Sequence, residues 1–254
     1  MKVWAVALNT FKETIRDRIL YNLLVFALLM ILLTIALGEL TIGEEVKVTT
    51  DLGLGCISIF GTLIAIFLGI GLVGKEIERK TIYSLVAKPL PRYQFLLGKF
   101  AGLFLTILVN LGIMTVAYVG VLYYMAGSFT WPLLQAILLI LVELAIIIAA
   151  ALLFSTFTSP TLSAIFSLAF FVIGRMSEDL RLLGGKSKSI LFQHFSQLLY
   201  YCLPNLSNYS KLHAAAYGDA LSLDLFLQIV GVGILTTAFI LGLAMLIFQR
   251  RDFT

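Results

Sequence analysis

Long uninterrupted apolar runs alternate with short polar segments along this chain. The runs at about 20–41, 52–74, 99–125, 132–157 and 226–248 each supply the roughly 20 apolar residues that a helix needs to cross a bilayer. A further run, Thr161 to Gly174, holds only 14 uncharged residues before Arg175. As a helix it reaches about 21 Å at 1.5 Å per residue. It spans if Arg175 snorkels to the surface and neighbouring helices cover the rest. The pattern therefore predicts six spans, with the fifth the shortest.

Two amphipathic stretches accompany them. In residues 1–19, Trp4, Leu8, Phe11, Ile15 and Ile19 recur at helical spacing, while Asn9, Lys12, Glu13, Arg16 and Asp17 take the other side. No small-residue cleavage site follows, so the segment reads as a helix lying in the membrane interface and not as a signal peptide. Ile190 to Leu203 mixes apolar residues with Gln193, His194, Ser196 and Gln197 and is too polar and short to span. It predicts an interfacial or re-entrant helix ended by Pro204. A turn at Gly127–Pro132 and a second at Ser155–Pro160 separate spans, with Pro160 placed to open the next helix.

Composition agrees with the pattern. Of 254 residues, 60% are hydrophobic and 13% charged, against about 45–50% and 25% in soluble domains, and mean hydropathy is +1.02. So apolar a chain is no soluble enzyme, and the six spans leave no room for a fused nucleotide-hydrolysing domain. The net charge of +4 points away from nucleic acid once its basic residues are located. With the N-terminus inside, Lys2, Lys12, Arg16, Arg18, Lys75, Arg79, Lys80, Lys88, Arg92, Lys99, Arg250 and Arg251 all fall on the cytoplasmic side, 12 of the 18 Lys and Arg. The positive-inside rule thus puts both termini in the cytoplasm and the 176–225 segment outside. Cys56 and Cys202 are too few for a disulfide framework or a closed zinc site, although one bridge between them is conceivable.

Most chemical motifs fail on context. Gly69-Ile-Gly-Leu-Val-Gly74-Lys75-Glu76 nearly matches a phosphate-binding loop, but Glu76 replaces the magnesium-binding hydroxyl and the stretch ends a span. Small-residue helix packing is the plainer reading. His194, Cys202 and His213 lack the tight spacing of a metal site. Asn205-Leu-Ser207 and Asn208-Tyr-Ser210 match the glycosylation pattern, which is near noise here. There is no HExxH and no GxSxG. No catalytic residue, bound cofactor or metal is expected. Gly98-Lys-Phe-Ala-Gly102 is a GxxxG that predicts close helix packing.

Two features stand out. Glu143 lies deep in the fourth span, where an unpaired carboxylate costs about 2.5 kcal/mol or more. It is read either as a proton, substrate or helix-interface site, or as a neutral acid bonded to a nearby hydroxyl. The second feature is the charged stretch from Lys75 to Lys99. Glu76 and Glu78 suit a helix N-terminus, Ile82, Leu85 and Val86 are apolar positions of a short helix, and Pro89 and Pro91 end it. Such a helix, framed by charge in the cytoplasm, suits docking of a soluble partner.

That stretch resembles the loop of ABC-2-type ABC transporter membrane subunits, with an E-x-E-x-[GK]-T run, a short helix and [KR]-P-x-x-R-x-x-[FY]-L-L-G-K. Here it is Glu76, Glu78, Lys80-Thr81, then Lys88-Pro89-Leu-Pro-Arg92-Tyr-Gln-Phe95-Leu-Leu-Gly98-Lys99. Lys80 stands where many members have Gly. Leu203-Pro204-Asn205-Leu206-Ser207-Asn208 and Tyr217-Gly218 resemble one branch of the family, whose neighbour serves maturation of the copper enzyme that reduces nitrous oxide. The resemblance implies an all-α polytopic permease, one transmembrane domain over 1–254, with an interfacial helix at 1–19, a cytoplasmic coupling loop at 75–98 and an extracytoplasmic segment at 176–225. It implies a coupling helix contacting a separate ATPase through Glu76, Glu78, Arg79, Thr81, Ile82, Leu85, Val86, Lys88 and Arg92. ATP and Mg would be held by that ATPase, a second permease copy would complete a homodimer, and an extracytoplasmic accessory protein is a further partner. The setting is the inner, cytoplasmic membrane, with lipid around the spans, and the activity is export. The rivals are a proton-coupled secondary transporter using Glu143, and an intramembrane enzyme, for which no polar cluster is present.

Overall fold

The structure, a computed structural model, describes residues 2–41, 43–78, 91–126, 130–186, 190–202, 204–210 and 220–250. Among them it contains helices and no strand. In chain order these are α1 (Lys2–Ile15), α2 (Arg18–Glu39), α3 (Glu45–Glu78), α4 (Arg92–Ala126), α5 (Trp131–Phe157), α6 (Pro160–Arg175), α7 (Ser177–Lys186), α8 (Ile190–Cys202) and α9 (Leu223–Arg250). A 3₁₀ turn, Leu206–Ser210, precedes α9. Among the described residues, five helices are long and apolar enough to cross a membrane, and α6 with α7, bent by 60°, makes a sixth candidate.

Local signals set several boundaries. Asp17 caps α2, its carboxylate accepting from the Ile19 amide at 3.0 Å. Gly43, at φ 88°, carries the left-handed step between α2 and α3. Proline opens α5 and α6, where a missing amide hydrogen costs nothing. α3 and α4 run past the expected span ends, with 34 and 35 residues. At 1.5 Å per residue both exceed 50 Å, against about 30 Å of hydrocarbon.

α5 is the central helix, with Ile140, Leu144, Ile146, Ile147 and Ala149 fully buried. Backbones approach closely where small residues meet. A Cβ on Gly61 of α3 would lie 2.9 Å from Leu144, and one on Gly69 2.8 Å from Ala151. This is how membrane helices associate when lipid removes the hydrophobic drive between them. The near phosphate-loop glycines therefore lie in a continuous helix, and Gly69 serves packing. By contrast, Val25, Phe26, Leu29, Leu32 and Leu33 of α2 remain exposed, as do Ile234, Leu235 and Phe239 of α9. Those faces suit lipid.

α1 lies against the start of α4. Its small side, Ala7, Thr10 and Thr14, is buried, and it meets the GxxxG glycines: a Cβ on Gly102 would stand 2.6 Å from the Ala7 carbonyl oxygen. The expected apolar stripe turns outward instead, with Trp4 62% and Leu8 36% exposed. A helix with one face on protein and an apolar stripe left uncovered fits the membrane interface.

Candidate functional site

Glu143 is fully buried on α5, and residues from two other helices converge on it. Ser58 of α3 donates its hydroxyl to Glu143 Oε2 at 3.2 Å. Arg175, the last residue of α6, places Nη1 3.5 Å from Glu143 Oε1 and 2.7 Å from Ser58 Oγ. Its side chain is 24% exposed and its guanidinium lies 5.6 Å from the Phe171 ring centre. The expected snorkelling of Arg175 is thus not what occurs. The guanidinium turns inward, because the opposite charge and a hydroxyl acceptor lie within reach. Glu143 has both kinds of partner raised by its position, a hydroxyl and a countercharge.

Chain geometry brings the three together. Ser58 is 13 residues into α3 and Glu143 12 residues into α5, counted from Glu45 and Trp131. Each is therefore on the order of 20 Å from its helix start. α6 enters from the opposite end, and Arg175 is 15 residues from Pro160, about 22 Å along. The shortness that makes α6 look like a marginal span is what delivers its terminal Arg to this depth. The chain then bends by 60° into α7.

The segment after the bend closes over this site. Asn205 Oδ1 accepts from Ser177 Oγ at 3.0 Å and from the Ser207 amide at 3.1 Å, while Ser207 Oγ donates to Glu178 at 3.0 Å. Leu206, fully buried, sits against Gly174. Asn205 of the glycosylation pattern is therefore an internal tie between the start of α7 and the 3₁₀ turn. Tyr209 donates to the Ile229 carbonyl at 3.3 Å. Burial, then the Glu143 carboxylate, push its phenol up to about 12. An open cleft of about 270 Å³ lies beside it, bounded by Asn205, Asn208, Gln228 and Thr236. α7 and α8 form a hairpin, with Gly184 against Ser196 and Arg181 over the Tyr200 ring at 4.5 Å. Its outer side exposes Leu182, Leu183, Leu191, Phe195 and Leu198, as an interfacial or re-entrant segment should.

At the other end, Arg79, Thr81, Ile82, Leu85, Val86 and Lys88 lie outside the described residues, as do the side chains of Glu76 and Glu78. His213, Tyr217 and Gly218 and the Cys202 side chain also lie outside them. Cys56 is a free, partly buried thiol in α3. Arg92 opens α4 and donates Nη1 to the carbonyls of Phe248 and Gln249 at the end of α9, at 3.4 and 3.1 Å. Lys99, its side chain 2% exposed, lies 3.8 Å from Glu13 of α1. The start of α4, the N-terminal helix and the end of α9 therefore share one face of the protein. Sequence reasoning did not pair Arg175 with Glu143, Lys99 with Glu13 or Arg92 with α9. The available signal for the first was that Glu143 and Arg175 are opposite charges in or at the edge of otherwise apolar runs.

These features define a polytopic helical membrane protein with an ion pair where three helices meet. The family model described as ABC-2 family transporter protein matches residues 4–253. The chain belongs to that family, and so is the membrane permease component of an ABC transporter. No curated protein matches the chain.

Proposed function

We propose that this permease couples ATP hydrolysis by a separate ATPase subunit to export, with two copies of the chain forming the pathway. The observation that carries the reading is the family match over 4–253, together with the charged stretch between α3 and α4. The coupling loop at 75–98 would dock in the ATPase through a short helix around Thr81–Ala87, with Ile82, Leu85 and Val86 as its apolar positions and Glu76, Glu78, Arg79, Lys88 and Arg92 around it. ATP and Mg would stay on the ATPase. Clustering of α1, the start of α4 and the end of α9 on one face supports placing both termini on the loop's side. The basic residues there support calling that side cytoplasmic, in an inner membrane. The 176–225 segment would then face outward, where it is available to an accessory protein.

Closure of two ATPases would displace the coupling helices and change access between the membrane halves. The Glu143–Ser58–Arg175 cluster ties α3, α5 and α6 together near mid-membrane, so rearrangement there accompanies any opening between those helices. A proton-coupled carrier is the weaker reading, because Arg175 already provides the countercharge that a buried carboxylate needs.

The test is co-purification. An ATPase subunit should accompany the tagged permease extracted from its host in mild detergent. Leu85→Asp should release it while the spans remain inserted, because an apolar anchor at the centre of an interface is worth about 2 kcal/mol or more, roughly thirtyfold in affinity. An unaltered yield of coupled ATPase with Leu85→Asp would exclude this loop as the docking site.

A further inference from the structure

The second half of the charged stretch, Arg92-Tyr-Gln-Phe95-Leu-Leu-Gly98-Lys99, is engaged within the chain by two other helices. Arg92 places its guanidinium on the carbonyls of Phe248 and Gln249, where a cation answers the partial negative charge of a helix C-terminus. One turn further, the Phe95 ring stacks on Phe248 with centroids 6.1 Å apart and planes 16° from parallel. Lys99 follows on the same side of α4. Its Nζ lies 5.5 Å from the centre of the Phe95 ring and 3.8 Å from Glu13 of α1. Beside it, a Cβ on Gly98 would meet Val6 at 2.6 Å and the Val3 carbonyl at 3.0 Å. A continuous ladder thus runs from the end of α9 through Phe95 and Lys99 to α1.

Phe95 is 7% and Lys99 1% exposed within this one chain, so neither side chain is open to a soluble partner. And α4 runs unbroken from Arg92 to Ala126, with residues 79–91 immediately before it in the chain. A stiff helix held at its base by two neighbours passes a push on that base to both of them, because packed interfaces shift as units and do not deform continuously.

We propose that Arg92, Phe95, Gly98 and Lys99 form a transmission joint that makes α1 and α9 move with the base of α4 when the 79–91 loop is displaced. They are positioning residues for the transport cycle. The coupling motif accordingly has two parts, a first that contacts the ATPase and a second that distributes its stroke inside the permease. This rests on the proposed ATPase coupling, since the displacement comes from that partner.

The experiment uses the permease–ATPase complex in lipid nanodiscs, with Cys56 and Cys202 replaced by serine. A nitroxide at Leu162, the exposed cytoplasmic end of α6, is paired in turn with one at Tyr93 on α4, Leu8 on α1 or Leu246 on α9, all exposed. Distances are measured without nucleotide and with ATP and vanadate. All three should shift together in the otherwise unsubstituted complex. Glu13→Gln with Lys99→Met removes both charges of the α1–α4 pair. It should cut the α1 shift at least twofold and keep the α4 shift. The exchange Glu13→Lys with Lys99→Glu should restore it. Arg92→Gln should reduce only the α9 shift. An undiminished α1 shift in Glu13→Gln/Lys99→Met with ATPase still bound would overturn the joint alone, as would a stationary α1 and α9 in the unsubstituted complex. Failure of the unsubstituted permease to hold any ATPase would overturn the coupling reading and the joint with it.

Discussion

Removing one partner of the Glu143–Arg175 pair leaves the other charge without its countercharge inside the protein, and the size of that effect follows from the geometry. At 3.5 Å and an effective dielectric constant near 20, the gross attraction is about 5 kcal/mol. Desolvation of both groups offsets much of it, and Arg175 retains 24% exposure, so the pair as a whole is close to neutral against an apolar replacement. The singles are not. Arg175→Met strands a fully buried carboxylate and should destabilise by about 3–4 kcal/mol. Glu143→Leu strands a guanidinium that reaches water in part and should cost somewhat less, about 2–3 kcal/mol. Glu143→Gln keeps an acceptor for Ser58 and should cost less than Glu143→Leu, about 1–2 kcal/mol. The double variant Glu143→Leu/Arg175→Met should return to within about 1 kcal/mol of the parent. The assay is reversible unfolding of the purified permease in mixed micelles titrated with SDS, read by tryptophan fluorescence, for all four corners of the cycle. With singles that sum to about 5–7 kcal/mol and a double within about 1 kcal/mol of the parent, a coupling energy of about 4 kcal/mol or more is expected. Additive singles, with coupling under about 0.5 kcal/mol, would refute the claim that these charges hold α5 and α6 together.

Other perturbations probe the remaining joints. Gly102→Ala drives a methyl to 2.6 Å from the Ala7 carbonyl and should loosen α1 at about 1–3 kcal/mol. Gly112→Ala meets nothing within 4 Å and should be neutral or slightly stabilising in the same unfolding assay. Asn205→Ala removes the acceptor shared by Ser177 and Ser207. It should cost about 1–3 kcal/mol and speed proteolysis between α7 and α9 in intact proteoliposomes, while equal cleavage rates would deny Asn205 its tying role. Trp4 should be quenched by lipids brominated near the headgroup more than by deep bromines in a Trp131→Phe background, and the reverse order would remove α1 from the interface.

The apolar runs determined the fold class by themselves. Only a membrane offers a place for so many exposed leucines and phenylalanines, and backbone hydrogen bonding in lipid then forces helices. Pro160 was equally legible, because a proline acts on the backbone next to it. Asp17, by contrast, read as part of the polar side of one helix over 1–19, and in fact caps α2 after α1 has ended at Ile15. The GxxxG at Gly98 announced close packing from spacing alone, though not that α1 would supply the partner. What the one-dimensional pattern left open was every pairing that depends on how helices cross. Arg175 read as a residue seeking water, since its run is apolar and short. Only the crossing of α3, α5 and α6 sets Ser58 and Glu143 beside it. Arg92 and Lys99 read as a basic flank of the loop, whereas tertiary contact commits them to α9 and α1. Hydrophobicity is a property of each residue and its near neighbours, so it survives in the sequence. An ion pair between positions 32 or 86 residues apart is a property of the packed chain, and exists only once the helices have met.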